Sequence, residues 1–382
     1  MSNHSETSSV RFIHNVAGAP NVDIYVDGKA VALQLAFSET TSYLQVKSGH
    51  REVTVFVASS KDTGAKPLLK QRVNLCSQSN NTAIVAGSVN ELPQSLSLLL
   101  YKDDLKCPKG GYAHVRLIHA AFGAPAVDLY VNDVLTFSNV KYKHTGQPVY
   151  APVKVGRVDN EGFAQPTTFT VKAAGSSVVV NYEVLFPDNR GIYTVVASDW
   201  KPAVPSVDTI INNDNKDECV VLKKNFDVQA YMGKWYQIAS IPQFFDRDCA
   251  RSTAQYTFLS NKVNVYNTCY NKEGAPIRSI TGSAVAPNPC VPASLIVSFP
   301  NTPVPANPNY LVHSTDYKSY AIVGSPTLTT FFILSRQPTL CLKEYKEMLN
   351  YAKGLGYDVS LVKPGYQTLT KHCEESSSEE SS

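Results

Sequence analysis

The chain has 382 residues, 43% of them hydrophobic and only 18% charged, with a formal net charge of +3. That length suits about two to four ordinary domains, and so mild a charge, with no Lys/Arg run, excludes a nucleic-acid-binding patch. No apolar run reaches the roughly 18–20 residues of a membrane-spanning helix.

The chain begins polar. Met1–Ser9 reads MSNHSETSS, without the apolar core of a signal peptide, so an export route is not legible here. A repeat follows. VRFIHNVAGAPNVDIYVDG starts at Val10 and VRLIHAAFGAPAVDLYVND at Val115, 105 residues later. Both carry V-R-x-I-H, then G-A-P, then V-D-x-Y-V. An offset of that size is a duplicated domain, not a solenoid turn. Short alternating runs between turn signals, among them Asp27-Gly28, predict a β-sandwich in each copy. The boundaries are drawn at 10–105 and 112–200, with Cys107-Pro-Lys-Gly-Gly111 between them. His14 and His119 occupy equivalent positions, as do Asp23 and Asp128. With no other ligand-type residue at metal spacing, they read as structural, and no metal is expected. Asn80-Asn81-Thr82 is a glycosylation sequon. The copies resemble a family of short sandwich-like repeats of unknown function found in secreted and surface proteins. That resemblance implies a location and a partner-contact role more than an activity.

Residues 201–218 are polar and Pro-interrupted and read as a linker. A third module, 219–373, consists of strand-like runs such as Val263–Tyr270, Ser294–Phe299, Tyr310–Ser314, Tyr320–Val323 and Thr330–Arg336. One helix follows, with Leu342, Tyr345, Leu349 and Ala352 on a single stripe, Pro338 before it and Gly354 and Gly356 to stop it. The tail 374–382, EESSSEESS, reads as disordered.

Three motifs in this module occur in order: Gly233-x-Trp235, Thr315-Asp316-Tyr317, and Arg336 after an apolar strand. On these the module resembles the lipocalin family, closest to the apolipoprotein D and bacterial outer-membrane subgroup. The resemblance implies an eight-stranded antiparallel barrel with a C-terminal helix packed outside it, making the whole chain all-β apart from that helix. It also implies a plug in which Trp235 closes one end beneath the Arg336 guanidinium. Tyr256, Asn267, Phe299, Tyr310 and Phe332 are then the inward-facing candidates for ligand contact. An Asn inside an apolar cup needs a partner, either ligand, water or neighbouring backbone.

There are eight cysteines, at Cys76, Cys107, Cys219, Cys249, Cys269, Cys290, Cys341 and Cys373, and no CxxC. That pattern favours disulfides in an oxidising compartment over a zinc site. Cys76 and Cys107 are candidates for one pair. The family resemblance implies Cys249–Cys373. Cys269 with Cys290 is a candidate local bridge and Cys219 with Cys341 a third, the connectivity staying open.

The expected function is binding or transport of one small hydrophobic ligand, such as a fatty acid, lysophospholipid, sterol, retinoid or bilin. No cofactor or nucleic acid is expected, and the location is extracellular or at the cell envelope. A membrane-surface or protein partner for the N-terminal domains stays open, as does the oligomeric state. Two alternatives are an adhesive surface protein and an enzyme acting on a lipid-like substrate. Against the enzyme stands the absence of G-x-S-x-G, P-loop and H-E-x-x-H motifs; His313 is the nearest acid–base candidate.

Overall fold

Val, Ile and Phe alternating with polar residues, punctuated by Asn, Asp and Gly turns, build the two N-terminal units. A computed structural model describes residues 7–90, 95–159, 164–201, 206–214, 219–243, 245–246, 248–259 and 262–371. The first unit contains β1 (Thr7–Asn15), β2 (Val22–Val26), β3 (Lys29–Leu35), β4 (Leu44–Lys47), β5 (Gly49–Val57), β6 (Leu69–Leu75), β7 (Asn80–Ala86) and β8 (Ser97–Asp103). These form two four-stranded sheets, β4-β1-β7-β8 and β3-β2-β5-β6, with β1 and β7 parallel. Phe12, Ile24, Val55, Val73 and Val85 fill the space between them. Asp27 and Gly28 both take positive φ, 49° and 79°, the twist a two-residue hairpin demands.

The second unit repeats this order with β9 (Tyr112–His119), β10 (Val127–Val131), β11 (Val134–Val140), β12 (Ala151–Lys154), β13 (Thr167–Ala173), β14 (Val179–Leu185), β15 (Ile192–Lys201) and β16 (Ser206–Asn213). Its sheets are β12-β9-β15-β16 and β11-β10-β13-β14, with β9 and β15 parallel. The linker reading is therefore corrected over Ser206–Asn213. β16 pairs antiparallel with β15, completing the sheet as β8 does in the first unit. Its Asn and Asp residues hid an edge strand whose Ile210 is buried.

The repeated motif has a structural reason at each letter. His14 Nε2 donates to the Pro20 carbonyl (3.1 Å) while its Nδ1 accepts from the Val16 N–H; His119 does the same with Pro125 (2.9 Å) and Ala121. Asp23 accepts from the Gln34 and Ser59 backbone N–H groups, and Asp128 from those of Asn139 and Gly175, so each pins two loops. The Arg binds the copies together. The β1-containing and β9-containing sheets meet face to face through Ile13, Ile84, Leu99, Ile118, Val196 and Ile210. Inside that contact Arg11 reaches Asp214 of the other copy at 2.8 Å, and Arg116 reaches Asp103 of the other copy at 2.7 Å. Thr82 and Thr194 join the network. Thr82 of the sequon is thus fully buried, its hydroxyl hydrogen-bonded in the inter-copy contact.

The third module opens with a one-turn helix, α1 (Val228–Tyr231), capped by Asp227. Then come β17 (Gly233–Ser240), β18 (Arg251–Leu259), β19 (Lys262–Tyr270), β20 (Pro276–Val285), β21 (Ser294–Ser298), β22 (Tyr310–Thr315), β23 (Tyr320–Gly324) and β24 (Phe331–Ser335). Each pairs antiparallel with the next, and β24 pairs back onto β17, closing an eight-stranded barrel. The long helix α2 (Leu342–Leu355) lies outside, burying Tyr345, Ala352 and Leu355. It runs through Gly354 and stops at Gly356, whose φ of +112° an L side chain rarely adopts. The second unit packs against this module. Asn189 donates to the Pro326 and Leu355 carbonyls, and Leu328 is buried beside Gly156.

The cysteine pairings differ from every expected pair. Cys107 bonds Cys219, bringing together the two ends of the second unit. Cys249 bonds Cys269, because the β18–β19 register sets Ser252, three residues from Cys249, opposite Cys269. That leaves no Cys249–Cys373 bridge and no Cys269–Cys290 bridge, since Cys290 lies past the far end of β20. Cys341 is disulfide-bonded, but not to Cys219, and Cys373 lies outside the described residues. Cys76 and Cys290 are free and exposed. The tail 374–382 also lies outside the described residues.

Candidate functional site

The barrel is shut at one end by a stack the sequence motifs supply. Gly233, with φ +99°, turns the chain into β17 so that Trp235 points inward, fully buried. The indole N–H donates to the Tyr231 carbonyl at 2.9 Å. The Arg336 guanidinium lies 3.6 Å from the indole ring and donates to the carbonyls of Met232 (2.8 Å), Lys234 (2.9 Å) and Tyr317 (3.0 Å). With the indole fully buried and the guanidinium half-buried, this cation–π contact is worth about 1–2 kcal/mol. Thr315 and Asp316 shape the β22–β23 turn. Thr315 Oγ1 donates to the Tyr320 carbonyl, and Asp316 accepts from the Ser319 and Tyr320 N–H groups. Tyr317 accepts the Asp227 N–H, tying that turn to α1.

Above this plug lies a cavity of about 680 Å³ that opens between the loops at the other end. Tyr256, Asn267, Phe299, Tyr310 and Phe332 all line it, together with Ala254, Val265, Val297 and Leu334. At its floor the phenols of Tyr231, Tyr310 and Tyr256 form a chain, with contacts of 2.9 and 3.1 Å. Burial pushes all three up, Tyr256 to about 12, so they remain neutral donors. Asn267 Oδ1 is buried with no hydrogen-bond partner.

Several lining residues were not singled out from sequence. Gln237 is two residues beyond Trp235 on β17, so strand alternation was the signal for it. Asp246 carried no signal. It is buried in the wall near the mouth, accepting from the Gln237 side chain (3.1 Å) and the Gln243 N–H (2.6 Å). Burial pushes its carboxyl above the ordinary range against those bonds.

His313 is not in the cup. It sits in a buried contact outside, with Nδ1 on the Val221 carbonyl (2.6 Å) and Nε2 on the Tyr357 hydroxyl (2.8 Å). Burial pushes it down to about 4, against the ordinary 6.5. An unfolded chain takes up this proton near pH 6.5, whereas the folded chain resists it. The stability contribution is therefore intact above pH 6.5 and lost as pH falls through about 4, a change of about 3 kcal/mol. Guanidinium unfolding from pH 7.5 to 4 is expected to show that decline, reduced in His313→Gln; equal slopes for both proteins would exclude it.

The family description "Lipocalin-like domain" matches residues 226–367, and "Domain of unknown function (DUF4397)" matches 8–130. The barrel module is 36% identical over 149 residues to a putative lipocalin of Acanthamoeba polyphaga mimivirus, covering 37% of this chain and 85% of that protein. It is 33% identical over 142 residues to the outer membrane lipoprotein Blc of Escherichia coli K12, covering 37% and 79%. Apolipoprotein D of Rattus norvegicus is 36% identical over 130 residues, covering 31% and 65%. With the closed barrel, the Trp235–Arg336 plug and these identities in agreement, the chain belongs to the lipocalin family.

Proposed function

We propose that the protein binds and carries one small hydrophobic molecule in the barrel cup, without chemistry, outside the cytosol. The observation that carries this reading is the cavity. Its exposed lining surface is mainly apolar although polar side chains share the wall, and it is sealed below, open above, with one orphaned acceptor in the wall at Asn267. Its volume of about 680 Å³ falls within the usual range for small-molecule sites. A ligand burying roughly 300 Å² of apolar surface gains about 7 kcal/mol before the costs of ordering it. Disulfides support an oxidising location.

Native mass spectrometry of the gently purified protein is expected to show one lipophilic molecule per chain, and the delipidated chain is expected to take one up again. Val265→Trp, which fills the cup, is expected to abolish uptake in a folded protein. A wild-type chain that neither carries nor takes up a lipophile ends this reading.

A second reading concerns the N-terminal pair as a contact module. Tyr182, Val184 and Phe186, along and just past edge strand β14, are about half exposed, at 57%, 48% and 48%. The first copy presents no such row among its described residues; Leu33 is its one exposed large apolar side chain. Measuring cell-surface retention beside ligand uptake for a Tyr182→Ser, Val184→Ser variant separates the two readings. Loss of retention alone supports contact, and unchanged retention removes it.

A further inference from the structure

The cup's polar groups are sorted by depth and by charge. At the floor, Tyr231, Tyr310 and Tyr256 make two mutual hydrogen bonds. Three hydroxyls hold three protons and two contacts use two, so one O–H is left to donate elsewhere. Tyr256 and Tyr310 border the cavity. One layer up, about 7 Å along the strands, Asn267 Oδ1 is a buried acceptor without a protein partner. The β18–β19 register puts Val265 opposite Tyr256 and Asn267 opposite Ala254, so these side chains share the inner wall. A spare donor and an orphaned acceptor on one wall match a hydroxyl, which both accepts and donates. A carbonyl oxygen answers the phenol alone.

Charge sharpens the selection. Among the described residues lining the cavity, Asp246 and Arg278 are the two that carry charge. Arg278 is at the mouth, where it donates to the Phe245 carbonyl (2.9 Å) and faces Asp248 at 3.7 Å. Asp246 is buried in the wall itself. A carboxylate carried to the floor would pass one buried carboxylate and meet no cation in the lining there, since Arg336 lies in the plug beneath and is turned to backbone carbonyls, whereas a neutral hydroxyl meets neither desolvation nor repulsion of that kind.

We infer that the cup selects uncharged lipids bearing a hydroxyl or carbonyl oxygen over lipids ending in a carboxylate, with that oxygen placed between the Tyr256–Tyr310 phenols and Asn267. The inference rests on the ligand-binding reading above. Retinol and all-trans-retinoate share a polyene tail and differ in the head group, so their titrations of the full chain at pH 8, followed by tryptophan quenching, isolate it. Retinol is expected to saturate at least about tenfold more tightly than retinoate. Asn267→Leu is expected to weaken retinol about tenfold and leave retinoate unchanged. Asp246→Asn is expected to narrow the gap by strengthening retinoate. Asn267 Oδ1 has no partner to lose, so Asn267→Leu is expected to melt no lower than the wild type. Retinoate binding as tightly as retinol, or unchanged retinol affinity in folded Asn267→Leu, overturns the selectivity and leaves the cup a lipid binder. Saturation by neither ligand overturns the selectivity; the ligand-binding reading falls with it only when native mass spectrometry also finds no lipophile carried or taken up.

Discussion

Arg116→Ala is expected to lower unfolding stability by about 3–5 kcal/mol, the cost of breaking a buried ion pair from one side. Arg116 is fully buried, with Nη2 on Asp103 Oδ1 at 2.7 Å and on Thr194 Oγ1 at 2.8 Å. Removing it strands the Asp103 carboxylate between Thr82 and Tyr43, whose hydroxyls donate to it but carry no charge. The surface pair Arg51–Asp27 is a built-in control. It has the same kind of contact at 2.8 Å with side chains 24% and 43% exposed, and Arg51→Ala is expected to cost under about 1 kcal/mol. Urea unfolding of the two variants measures the contrast. Replacing both partners with apolar residues, as Arg116→Met with Asp103→Leu, is expected to restore most of the loss, because no charge is then left unpaired. A loss below about 1 kcal/mol for Arg116→Ala would mean that water reaches the network.

Trp235→Ala is expected to cost about 3–5 kcal/mol, as large-to-small changes in a packed core do. The indole is held between the Tyr231 ring, 5.1 Å away, and the Arg336 guanidinium. Its removal empties the plug and leaves five donors of Arg336 to fewer well-packed surroundings. Trp235 does not itself border the cavity, since the tyrosine layer intervenes. Ligand affinity of the fraction still folded is therefore expected to change little, and calorimetric melting with and without ligand separates the two effects. A variant as stable as the wild type would contradict the plug's structural role.

Much of the architecture was legible because its causes are local or strongly patterned. The repeated V-R-x-I-H and V-D-x-Y-V segments marked two strands per copy. Gly233, Trp235, Thr315, Asp316, Tyr317 and Arg336 marked the barrel, and alternation brought Tyr256, Asn267, Phe299, Tyr310 and Phe332 to one cavity. What stayed hidden depends on how distant segments meet. Cysteine pairing follows strand register, which set Cys249 beside Cys269 and left Cys290 elsewhere. β16 was hidden because Asn and Asp crowd its two packed residues, Ile210 and Ile211, at a sheet edge. The crossed Arg–Asp contacts join residues of different copies. The visible signal for them was an Arg in the middle of an otherwise apolar strand, recurring at the same offset in Val10–His14 and Val115–His119. Asp103 and Asp214 stood in polar stretches that gave no such hint.

The Cys107–Cys219 bond makes the middle third of the polypeptide a covalent ring, closed across 112 residues of sequence. In the chain-entropy account, tying so long a loop removes about 4–5 kcal/mol worth of freedom from the unfolded chain. Its topological effect is separate from that energy. A single protease nick anywhere within the ring leaves every fragment tethered until the bond is reduced. Cuts inside the ring therefore leave the barrel module covalently attached to the segment ahead of Cys107 until a reductant opens the bond.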